Sequence, residues 1–263
     1  MRRDRGHFLL TTGIAVLGIV ILDACVTTTR TNLVTSAESG DCVVLLHGLN
    51  RSYRAMEKMA SGLQDAGFTT ANVDYPSQTA TVEDLARLAV NEGLEKCREA
   101  NAGKIHFVTH SLGGILLRYE QSENPIPELS RVVMLAPPNQ GSEIIDKARD
   151  WPTFELFSGE AGLQLGTDEN SVPSKLGPVD FELGVIAGTG TINPIFSSML
   201  PDPNDGKVSV ASTKVSGMND FLVVDNNHHS IISNGVVIEN TVAFLRDGRF
   251  LLSTDTETPV LLH

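Results

Sequence analysis

One serine, Ser111, stands in "KIHFVTHSLGGILLRYE", residues 104–120, between a run of β-formers and a run of helix-formers, with Gly113 and Gly114 behind it. A strand that turns at once into a helix holds such a residue in a strained conformation with its hydroxyl exposed, and small neighbours let the turn close. Negative charge developing at that hydroxyl is favoured by the helix N-terminus. The pattern suits a nucleophile for acyl transfer; the plainer reading is a small residue at a tight turn. Relative to G-x-S-x-G, Gly113 fills one flanking position and Thr109 replaces glycine at the other.

"VVLLHGLNRS", residues 43–52, supplies a second feature, a strand ending in His47-Gly48. Gly48 allows the backbone to turn, so that the N–H of Leu49 joins that of Leu112 as donors to an oxyanion. A strand-to-loop turn without function is the alternative. Nucleophilic serine chemistry also needs a base, and seven histidines compete. His7 lies in the N-terminal segment, His263 at the end, His47 in the first loop and His106 inside a strand, while His110 adjoins the serine and is expected to point away from it. His228 and His229 remain, in "NNHHSIISN" after the last apolar strand. Alignment by strand end prefers His228, with His229 as the alternative.

The elements that must position these groups alternate along the chain. "CVVLLHG", "FTTANVDYP", "KIHFVTH", "RVVMLAP", "ELGVIAG" and "FLVVD" read as strands. "YRAMEKMASGLQDAG", residues 82–100, "LGGILLRYEQ" and "GVVIENTVAFLRDG" read as helices. This rhythm predicts an α/β fold over residues 42–250: a mostly parallel central sheet of about six strands with helices on both faces. Functional loops then lie at the carboxyl ends of the strands. Residues 141–180 break the rhythm and are expected to form a small cap insertion, with Trp151, Phe154 and Phe157 lining a pocket; a surface excursion with one short helix is the alternative.

Together these motifs resemble the α/β-hydrolases of the lipase and esterase type, in a minimal form covering residues 42 to about 247. "APPNQGSE", residues 136–143, resembles the Pro-containing, Gly-Ser segment that follows the next strand in lipases. The resemblance implies the order serine, acid, histidine. "PDPNDGKVSVAS" offers Asp202 and Asp205, and Asp205, before Gly206 and an expected strand "KVSVAS", resembles the Asp-Gly-x-Val segment of related lipases. The implied roles are attack by Ser111, proton transfer by His228 and orientation by Asp205, on a small ester or lipid and without a cofactor. An acyltransferase or amidase with the same triad is the second reading, and a non-catalytic binding protein on the same scaffold the third. No H-E-x-x-H, CxxC or P-loop points to a metal or nucleotide.

The beginning of the chain has its own logic. Arg2, Arg3 and Arg5 precede an uncharged run over residues 8–22, which is shorter than the about 20 residues that cross a bilayer. Residues 1–24 read as an export signal. Leu22, Ala24 and Cys25 resemble a bacterial lipobox, with Asp23 atypical, which implies lipidation at Cys25 and a polar linker over residues 25–41. Val26 in place of aspartate favours an outer-membrane lipoprotein facing the periplasm of the cell envelope. The last residues, 251–263, form a tail. In an oxidising compartment Cys42 and Cys97, both expected to face the interior near the start of the strands, form a disulfide or remain two buried thiols. The net charge of −12 excludes a partner bound through its phosphate backbone, nucleic acid above all.

Overall fold

The computed structural model describes residues 29–36 and 40–251. Residues 1–24, expected to be an export signal, Cys25 and the tail beyond residue 251 lie outside the described residues. Seven strands form one sheet, β1 (Arg30–Val34), β2 (Asp41–Leu46), β3 (Thr69–Asp74), β4 (Lys104–His110), β5 (Leu129–Leu135), β6 (Glu182–Gly188) and β7 (Asp220–Val224), in the order β1-β3-β2-β4-β5-β6-β7. All pairs are parallel except β1 with β3.

The central strands are apolar throughout because both faces are covered. Along β2, Val43 and Leu45 face one core and Cys42, Val44 and Leu46 the other. The first core is closed by α1 (Glu57–Asp65) and α9 (Gly235–Asp247) through Met59, Leu63 and Phe244; the second by α2 (Val82–Glu99) and α3 (Leu112–Glu123) through Leu85, Val90 and Leu116. Helix α2 starts where the Thr81 side chain accepts the Asp84 N–H at 3.3 Å, and Lys96 and Arg98 lie in its last turn, where cations suit the helix dipole.

Two expectations are corrected. The supposed linker contains β1, whose residues alternate between exposed and half-buried, so no apolar run betrays it. Leu33 packs on the core and the Thr31 hydroxyl donates to Glu92 at 2.8 Å. "KVSVAS" is not a strand: a single bridge joins Asn204 and Ser209, after which Ser209 caps the short α8 (Val210–Thr213) by accepting the Ser212 N–H at 3.1 Å. Serine side chains compete with sheet pairing in this way. The cap insertion carries α4 (Glu143–Ala148), α5 (Phe154–Leu163) and α6 (Val172–Lys175), and α7 (Pro194–Ser197) follows β6. Gln164 ties the cap to the body, accepting the Val82 N–H at 2.6 Å and donating to Glu83 at 2.9 Å.

Cys42 and Cys97 form a disulfide joining the start of β2 to the last turn of α2, across 55 residues of chain. A loop of that length corresponds to about 4 kcal/mol of unfolded-state entropy. The Cys42→Ala/Cys97→Ala double variant is therefore expected to melt about 10 °C lower in scanning calorimetry.

His47, His106 and His110 are buried, and burial holds all three below the ordinary imidazole value of 6.5. The unfolded chain protonates them as pH falls through 6.5 while the folded chain does not, so it binds more protons and stability falls with acidification. Urea unfolding is expected to show stability constant above pH 7 and declining below about 6.5, by up to about 1.4 kcal/mol per histidine per pH unit.

Candidate active site

Ser111 follows the last residue of β4 and precedes the first of α3, with φ 52° and ψ −121°. Neighbours enforce this turn. Its N–H donates to Leu135 O at 3.0 Å, and a side chain at Gly113 would stand 2.7 Å from Leu46 O and 3.0 Å from His47 O. Only glycine lets α3 sit so close to the end of β2. Gly48 is equally confined, since a Cβ there would meet His110 Nδ1 at 2.8 Å and Ser111 Cβ at 3.1 Å. Thr109, at the position where the motif has glycine, is an ordinary buried strand residue of β4.

The loops after β6 and β7 bring an acid and an imidazole to this serine. His228 Nε2 lies 3.1 Å from Ser111 Oγ, and its Nδ1 lies 2.7 Å from Asp205 Oδ2. Since an ionised carboxylate only accepts, Nδ1 carries the proton and Nε2 is free to accept from the serine hydroxyl. The main chains are joined as well, His228 N–H donating to Asp205 O at 3.0 Å. The second carboxylate oxygen, Oδ1, accepts the N–H groups of Lys207 at 2.9 Å and Val208 at 2.8 Å. Asp205 and His228 are buried, 2% and 6% exposed.

The structure separates the two adjacent histidines. His229 turns to Arg51, whose guanidinium donates to Nδ1 at 2.7 Å, and its pKa is pushed down to about 4 by burial and then by that cation. It does not bridge serine and acid. His110, expected to point away, instead supports the site: its Nε2–H donates to His228 O at 2.8 Å and its ring lies 4.8 Å from the His228 ring. Burial first, then the neighbouring His228 ring, holds it well below 6.5, so it stays a neutral donor.

The His47-Gly48 turn is clamped from β3. His47 stacks on Tyr75 with centroids 4.0 Å apart, its Nδ1 donates to Gly48 O at 2.8 Å, and the Tyr75 hydroxyl donates to His47 O. Tyr75 lies in "FTTANVDYP", read only as a strand, and nothing local marks its hydroxyl for this contact. Beyond Gly48, Leu49 borders the pocket, and Leu112 is buried in the first turn of α3. Neither N–H has a protein acceptor among the described residues.

Ser111 opens on a cavity of about 320 Å³. Its apolar wall is Leu49, Ile144, Ile145, Phe154, Leu165 and Val208, and its polar rim includes Arg51, Lys207 and His229. Of the expected aromatics, Phe154 lines it. Trp151 does not: it is 47% exposed, in the turn between α4 and α5. The Phe157 side chain lies outside the described residues. The wall from α4 depends on fold placement, and nothing in the sequence marked Ile144 and Ile145 beyond their apolar type.

Comparison with known proteins agrees with this fold. None of the curated proteins matches the chain. Among solved structures, a lipase of Bacillus licheniformis, BlEst2 in mature form, superposes with a TM-score of 0.65 at 18% identity, over 84% of this chain and 98% of that one. An esterase from Thermogutta terrifontis does so with 0.56 at 15% identity, over 84% and 94%. Phospholipase PlaB from Legionella pneumophila matches with 0.55 at 19% identity, over 79% and 57%. The family model described as the alpha/beta hydrolase family matches residues 43–198. With the strand order, the serine turn and this match in hand, the chain belongs to the alpha/beta hydrolase family.

Proposed function

We propose that this hydrolase cleaves carboxylic esters through an acyl-enzyme, with Ser111, His228 and Asp205 as its catalytic triad. The observation that carries the reading is the continuous hydrogen-bond chain, 2.7 Å from Asp205 to His228 and 3.1 Å from His228 to Ser111, ending on a serine in a left-handed turn. Ser111 Oγ attacks the ester carbonyl as its proton passes to His228 Nε2, and the N–H groups of Leu49 and Leu112 hold the oxyanion. The carbonyl re-forms, the alcohol leaves with the proton from His228, and water repeats the cycle on the acyl-serine. Asp205 fixes the tautomer and stabilises the imidazolium. The apolar cavity wall takes the acyl chain; names of the structural relatives, lipase, esterase and phospholipase, support the substrate class.

The same reading includes the place of action. The basic, apolar and small-residue order of residues 1–24 supports export, and Cys25 supports a lipid anchor in the bacterial cell envelope, facing the periplasm from the outer membrane. A cystine between Cys42 and Cys97 suits an oxidising compartment.

Two experiments test these statements. A fluorescent fluorophosphonate is expected to label the purified protein and His229→Ala but not Ser111→Ala or His228→Ala, and Asp205→Asn is expected to lose about 10⁴-fold in kcat on a short-chain ester. Folded wild-type protein that fails to label would remove the nucleophile. Feeding an alkyne fatty acid to bacteria expressing the full chain is expected to tag it in membrane fractions, and Cys25→Ala is expected to abolish the tag; equal tagging of both places the anchor elsewhere.

A further inference from the structure

In a chain of net charge −12, the rim of the site holds two cations from separate loops. Arg51 follows the oxyanion turn and Lys207 follows Asp205-Gly206. Among the described residues neither makes an ion pair. Arg51 spends a donor on the neutral ring of His229, and the Lys207 ammonium lies 4.4 Å above the Phe196 ring. Asp205 is near Lys207, but its carboxylate already serves His228 and two main-chain N–H groups. Burial lowers the Lys207 pKa, Asp205 opposes that, and Arg51 adds to it, so the two cations act on each other. Holding like charges together over a partly desolvated pocket is unfavourable until an anion arrives between them.

The position of the pair tells which part of a substrate it meets. Most of the acyl wall comes from the cap, through Ile144, Ile145, Phe154 and Leu165, with Leu49 and Val208 completing it. His228 gives its proton to the departing alcohol, so the alcohol occupies the His228 side. There a second cleft of about 190 Å³ runs from His228 and His229 past Lys207 and Phe196 to the polar Thr191 and Asn193. Two cations on different loops suit a tetrahedral anion with an oxygen for each, whereas one guanidinium satisfies a planar carboxylate.

We propose that the ester this site takes carries a phosphate on its alcohol part, held by Arg51 and Lys207 on the His228 side of Ser111. The inference rests on the ester-hydrolase reading and names its substrate class. The phosphate belongs either to a soluble phosphoester or to the headgroup of a lipid.

The test compares kcat/KM for 1-butyrylglycerol 3-phosphate with that for uncharged monobutyrin, and for phosphatidylglycerol vesicles with that for diacylglycerol in the same detergent-free dispersion. The wild-type ratio is expected to favour the phosphate by about tenfold or more at low salt and to shrink as salt rises. Arg51→Gln/Lys207→Gln is expected to bring it near one, and Lys207→Arg to keep it. A preference for both substrates assigns a soluble phosphoester, and one confined to vesicles assigns a headgroup. A calorimetric arm is independent of turnover: glycerol 3-phosphate is expected to bind Ser111→Ala and to lose that binding when both Gln substitutions are added. Ratios near one with no difference in binding overturn the proposal, while hydrolysis of monobutyrin would still uphold the esterase. If neither ester is cleaved, the hydrolase reading fails and the binding arm alone decides the anion site.

Discussion

Ser111 sits at φ 52°, in a region that a residue with a side chain occupies at a cost of about 1–3 kcal/mol, and the rest of the site depends on its staying there. The constraint is imposed from several sides at once. Leu135 O receives its N–H, its own carbonyl receives the Gly114 N–H, Gly113 brings α3 against the end of β2, and Gly48 brings the next loop against its Cβ. A turn specified by so many contacts cannot relax without unpacking the centre of the sheet. The strained hydroxyl is therefore supported by the apolar burial of β2 and β4, elements that take no part in chemistry.

The second dependence is electrical. Asp205 is a buried carboxylate, and it accepts three hydrogen bonds within the protein, from the His228 ring and two N–H groups. Low local dielectric strengthens such bonds and makes unpaired ones costly. In β4 the pairing is incomplete: among the described residues, His110 Nδ1 and Thr109 Oγ1 are buried without a protein partner. Each such atom costs about 1–3 kcal/mol. The compensation is positional, because His110 fixes the His228 carbonyl while Asp205 fixes its N–H and its ring. One imidazole is thus held by three separate contacts, and it meets the serine with little freedom left to lose.

Around this centre the surface is mixed. The cap contributes the apolar Ile144, Ile145, Phe154 and Leu165, and the loops after β2 and β6 contribute an apolar and a cationic side chain each, Leu49 with Arg51 and Val208 with Lys207.

Much of this was present in the residue order. The serine between β4 and α3, the His-Gly turn and the apolar runs of the six parallel strands β2–β7 rest on local rules, period, glycine at tight turns and short motifs, while the choice of Asp205 over Asp202 came from the lipase resemblance. Helix periodicity and strand position turned Cys42 and Cys97 inward but left a disulfide or two thiols open, and the structure joins them. What escaped had no local signal. The polar β1 becomes a strand only because β3 offers a free edge, and "KVSVAS", with good β-formers, yields to the capping of Ser209. Trp151, an expected pocket residue, faces solvent, while Tyr75 joins the site from the end of β3 and Arg51 and Lys207 from positions two residues beyond Leu49 and Asp205. His228 and His229 are neighbours of one type, and order along the chain could only rank them. Which ring meets Ser111 was settled by long-range contacts, Asp205 taking one and Arg51 the other. By itself the sequence determined the elements and the kinds of chemistry, because those depend on neighbours in the chain; tertiary structure alone decided which side chains meet, because that depends on neighbours in space.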